Sequence, residues 1–128
     1  MASASGRNRP LSPHLTVYRP QITSMLSVLH RGTGVAMAFS LALVVWWLLA
    51  AATGSEYFEF VDGLLTSVIG FLILLGSAFA FFYHMCNGLR HMWWDMGFGY
   101  EMDQVTQSGY VVLGASGVLT LILLIVAL

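Results

Sequence analysis

Lysine is absent from this 128-residue chain, and charge of either sign is scarce. Charged residues make up 9% of the sequence, against about 25% in an ordinary soluble domain. The only arginines are Arg7, Arg9, Arg19, Arg31 and Arg90. The formal net charge is −1, so no basic surface is available to neutralise a nucleic-acid backbone. Cys86 is the single cysteine, which excludes an internal disulfide and leaves it a small apolar packing residue. Proline occurs only at 10, 13 and 20, so no later segment is barred from helix by one. No apolar run follows Arg7 and Arg9 closely enough for a cleavable secretory signal. The same leader is short and arginine-poor for a mitochondrial transit peptide.

What fills the chain instead is apolar: 58% of residues are hydrophobic, and the mean hydropathy is +0.79. Three uncharged stretches, Gly32–Ala52, Gly63–Leu89 and Gln104–Leu128, approach or exceed the ~20 residues that span a bilayer as helix. The reading is an all-α membrane protein with three transmembrane helices, at about 24–52, 63–92 and 106–128. The second is long enough to tilt. The whole of 23–128 forms one membrane domain, with Thr23 or Ser24 capping the first helix. Residues 1–22, with their three prolines, form an extended arm. Three spans put every arginine on one side and leave Glu56, Glu59 and Asp62 in the opposite loop. The positive-inside rule then places the N-terminus in the cytoplasm or matrix. Trp93 and Trp94 suit the inner interface, and Trp46 and Trp47 the outer one.

The segment His84-Met-Cys-Asn-Gly-Leu-Arg-His-Met-Trp-Trp-Asp95 closes the second run. His84 and His91 lie on nearly the same helical face, about 10.5 Å apart along the axis. Taking Arg90 as the inner boundary puts His84 about 9 Å deeper. His30, Arg31, Arg90 and His91 then form a polar ring at one level, with His84 alone beneath it. An intramembrane histidine is costly unless something binds it. His84 is therefore either an axial haem ligand or a buried histidine hydrogen-bonded to a neighbouring helix. As a haem ligand it needs an opposite ligand at its own depth, which points to another chain, and the cationic ring could hold the propionates. Ser27 and Arg31, at i and i+4, share a face and could donate hydrogen bonds to a quinone carbonyl. The plainer reading, a first-turn serine and a snorkelling arginine, is favoured on those residues alone. Asp95 is expected to pair with a nearby arginine.

Together the motifs Pro10-Leu-Ser-Pro-His14…Tyr18, Ser27-Val-Leu-His-Arg-Gly-Thr-Gly34 and His84-x-x-Asn-Gly-x-Arg-His91…Trp94-Asp95 resemble the cytochrome b556 membrane-anchor subunits of succinate dehydrogenase, complex II. The resemblance covers most of the chain. It implies a helix bundle shared with a second hydrophobic anchor subunit, with one haem b between them. It makes the residue at His84 an axial iron ligand and has the second anchor supply the other. It puts Ser27 and Arg31 in the ubiquinone site, and His30, Arg31 and His91 near the haem propionates. It implies a flavoprotein subunit carrying FAD and an iron–sulfur subunit carrying the clusters, the latter in contact with residues 10–22. The chain alone would not oxidise succinate. The short leader favours a bacterial inner membrane, with the mitochondrial inner membrane as the alternative. Two other readings remain: a purely structural anchor, and a small transporter subunit. The second is weakened by the absence of Asp or Glu inside any span.

Overall fold

A computed structural model of the chain describes residues 21–128. The expected arm therefore lies outside the described residues, except for Gln21 and Ile22, which already belong to the first helix and its cap. Four helices follow: α1 (Ile22–Thr53), α2 (Ser55–Leu65), α3 (Val68–Asp95) and α4 (Met102–Ala127). Of these, α1, α3 and α4 are long and apolar enough to cross a membrane.

The helix ends have local causes. Gln21 caps α1, and Ser24 reaches back to it. The Ser24 hydroxyl accepts from the Gln21 N–H at 3.2 Å and donates to the Gln21 carbonyl at 2.9 Å. The cap thus falls before Thr23 and Ser24, although Ser24 completes it. The second span starts at Val68 rather than at 63, and the acidic loop expected before it is the helix α2. Ser67 makes the break: its hydroxyl accepts from the Gly70 N–H at 3.2 Å. Gly70 is required there, because a Cβ would fall on the carbonyl oxygens of Leu64 and Leu65. Beyond α3, Gly97 and Gly99 take φ of 90° and 75°, which turns the chain toward α4.

α1 and α3 run antiparallel and are joined at three heights. Tyr83 donates to the Leu26 carbonyl at 2.7 Å, Thr33 meets His84, and Ser40 bonds Ser77 at 2.7 Å. α3 and α4 are joined by Arg90, which donates to Ser108 at 2.8 Å and to the Val105 carbonyl at 2.8 Å. Leu26, Tyr83 and Val112 form the core where these three helices meet, with Cys86 packed against it as a small apolar residue. Away from that end, α3 and α4 leave an apolar cleft of about 280 Å³ lined by Phe71, Leu74, Thr120 and Leu124. Large apolar side chains face outward throughout, Phe39, Val68 and Val126 among them, as a lipid-facing surface requires.

Candidate haem- and quinone-binding site

The N-terminal third of α1 meets the C-terminal half of α3 through histidine. The His30 ring lies flat on the His84 ring, with centroids 4.0 Å apart and planes 7° from parallel. His91 joins them, its centroid 5.3 Å from that of His30. His84 is therefore not alone beneath a polar ring, as depth along a single helix suggested. α1 crosses α3 so that His30 packs on the ligand candidate itself. Arg90 also leaves the expected ring. It is 6% exposed, turned toward α4, and bonded to Asn87 Oδ1 at 3.2 Å as well as to Ser108 and Val105. Its guanidinium sits 4.2 Å over the Trp94 ring. These partners are all neutral.

The chemistry of His84 follows from one nitrogen. Nδ1 lies 3.1 Å from the His30 carbonyl, which only accepts, so Nδ1 carries the proton. Thr33 Oγ1 lies 3.3 Å from the same Nδ1 and donates its own proton to the His30 carbonyl at 2.9 Å. Nε2 is left with its lone pair and takes no hydrogen bond among the described residues. Holding one nitrogen by a backbone carbonyl while the other stays basic is how proteins orient a metal-ligating imidazole. The donor set fits an axial haem position. It does not fit both axial positions. The His30 and His84 rings are stacked and nearly parallel, so their nitrogens do not converge on one atom, and His30 would not join His84 in holding the same iron. Among the described residues no group of three or more His, Cys, Asp or Glu could hold a metal ion by itself.

Ser27 and Arg31 lie one turn apart on α1, beside His30. Ser27 is half-buried, Arg31 is exposed, and neither takes a hydrogen bond from a described residue. Their donors are thus free for a polar molecule at the bundle surface. Three more polar atoms at this end are buried without a partner among the described residues: His30 Nδ1, Asn87 Nδ2 and Trp94 Nε1. Such atoms are rare in a finished structure and mark a surface that something else completes.

The chain matches the family model for the transmembrane subunit of succinate dehydrogenase and fumarate reductase over residues 5–123. It belongs to that family. The succinate dehydrogenase cytochrome b556 subunit of Rickettsia conorii is 41% identical over 115 residues, covering 90% of each chain. The cytochrome b556 subunit of Paracoccus denitrificans is 42% identical over 126 residues, 98% of this chain and 97% of its own. The cytochrome b560 subunit of Reclinomonas americana is 40% identical over 120 residues, 90% of this chain and 83% of its own. The transmembrane-subunit family and three spanning helices make this a membrane protein.

His30 as a direct neighbour of His84, together with Thr33 and Gly34, is what sequence reasoning missed. The signal was present as His30-x-x-Thr33-Gly34. Read along one helix, it gives no hint of which side faces α3.

Proposed function

We propose that the chain is the haem b- and quinone-binding anchor of a succinate dehydrogenase, passing electrons from succinate through the iron–sulfur subunit to ubiquinone. The single observation that carries this is His84, with Nδ1–H tied to the His30 carbonyl and Nε2 free. In this reading His84 Nε2 would hold the haem iron, and a second anchor chain would supply the other ligand. Haem b, when bound, supplies a one-electron redox centre within the membrane. His30 and Arg31 would hold its propionates, with His91 beside His30. A cation and imidazole N–H groups suit carboxylates in a setting of low dielectric.

Ser27 and Arg31 take the quinone. Their hydroxyl and guanidinium donate to a carbonyl oxygen of ubiquinone, and hold negative charge there more strongly as reduction proceeds. The flavoprotein and iron–sulfur subunits, with their FAD and clusters, dock on the same side, which the arginines mark as cytoplasmic. The membrane is then a bacterial inner membrane.

The purified four-subunit complex tests the assignment. His84→Ala should remove or strongly perturb the b-type absorption band; an unchanged spectrum would rule out His84 as ligand. Ser27→Ala and Arg31→Ala should lower succinate:ubiquinone reductase activity by at least tenfold while succinate–dye activity persists. Wild-type ubiquinone kinetics in both variants would remove the quinone assignment.

A further inference from the structure

One turn of α1, from His30 to Gly34, encloses the His84 imidazole on three sides. The His30 ring covers one face at 4.0 Å. The His30 carbonyl and Thr33 hydroxyl hold Nδ1 at 3.1 and 3.3 Å. Gly34 meets the third side. A Cβ built on Gly34 would stand 3.2 Å from His84 Cε1 and 3.7 Å from Nδ1, closer to the carbon than side chains ordinarily pack. Cε1 is bonded to both ring nitrogens, so pressure there swings Nε2. The ring would have to give by a few tenths of an ångström, with the His30 ring stacked on one face and two contacts holding Nδ1.

We propose that Gly34 is a positioning residue for the axial ligand, its missing Cβ fixing the direction in which His84 Nε2 points. This rests on the reading of His84 as an iron ligand. Helix propensity argues against glycine here: within a helix, glycine is less favourable than alanine by about 1 kcal/mol. Gly32, two residues earlier on the same helix, has nothing within 4 Å of its own absent Cβ. Gly32→Ala and Gly34→Ala therefore gain the same propensity, and among the described residues they differ in the contact with His84.

Both variants are made in the four-subunit complex, beside His84→Ala. The readouts are the low-temperature EPR signal of the ferric haem and its redox midpoint. Gly34→Ala is expected to shift the low-spin g values and the midpoint, while Gly32→Ala matches wild type. Wild-type g values and midpoint in Gly34→Ala would overturn the proposal, as would equal shifts in both glycine variants. If His84→Ala keeps the wild-type signal, the ligand reading itself has failed. If His84→Ala loses the signal but Gly34→Ala does not move it, only the role of Gly34 has failed. Should Gly34→Ala not assemble, Thr33→Val decides. It keeps the volume and removes one partner of Nδ1, so a smaller shift of the same g values is expected, and an unmoved signal overturns the cradle.

Discussion

The two ends of the bundle handle polar groups in opposite ways. At the α2 end every tryptophan N–H is matched: Trp46 donates to the Tyr57 hydroxyl at 2.8 Å, and Trp47 to Asp62 at 3.0 Å. Ser67 caps α3, and Thr66 bonds the Asp62 carbonyl at 2.7 Å. At the histidine end, among the described residues, His30 Nδ1, Asn87 Nδ2 and Trp94 Nε1 are buried without partners, and Ser27 and Arg31 take no hydrogen bond. Buried donors left unmet cost free energy, so an end that keeps several is shaped for assembly rather than for itself. The α2 end meets its polar side chains locally; the histidine end leaves several of them unmet among the described residues.

Substitutions can break this contrast. Gly70→Ala should be the most damaging at the closed end, at about 3 kcal/mol, because the clash is with backbone that cannot rotate away. A large fall in the thermal midpoint of the purified complex would show it; an unchanged midpoint would mean that the α2–α3 turn adapts. Arg90→Met follows, at about 2 kcal/mol, because it leaves Asn87 Oδ1 buried without its donor. Its effect should appear as earlier loss of the folded state in denaturant titration, even though this residue belongs to the open end. Trp47→Phe removes one hydrogen bond at the closed end and should cost about 1 kcal/mol. Haem spectrum and quinone kinetics should stay at wild type, and a change in either would blur the division between the ends. The smallest effect is expected from Ser40→Ala, where a mid-bundle hydroxyl pair contributes roughly 0.6 kcal/mol by double-mutant cycle with Ser77→Ala.

The helices were legible because lipid-spanning runs are long and uncharged, and the family was legible in its histidine, arginine and glycine motifs. His84 stood out as an imidazole inside an apolar run. The break at Ser67 did not, since Leu64, Leu65, Val68 and Ile69 continue the apolar character straight through it. The inward turn of Arg90 was missed for a related reason. An arginine near a membrane boundary is expected to reach for water, and only the facing Ser108 and Val105 carbonyl reveal the alternative. The packing of His30 on His84 depends on how α1 is rotated about its axis. A helix apolar on nearly every side carries no periodic contrast from which to read that rotation.

The three cross-links between α1 and α3 run from Leu26 to Ser40, about 21 Å of helix axis at 1.5 Å per residue. Pinned at three heights, the pair is held in register along that length. α4 is tied to it at Arg90 and gapped from it near Leu124. A thinner or thicker bilayer should therefore swing the far half of α4 and leave the His84 ring undisturbed. Spin labels at Gly76 and Gly117 would record that motion as a distance change between lipids of different chain length, with the haem signal constant. The histidine end of the molecule is in this way mechanically insulated from the thickness of the membrane around it.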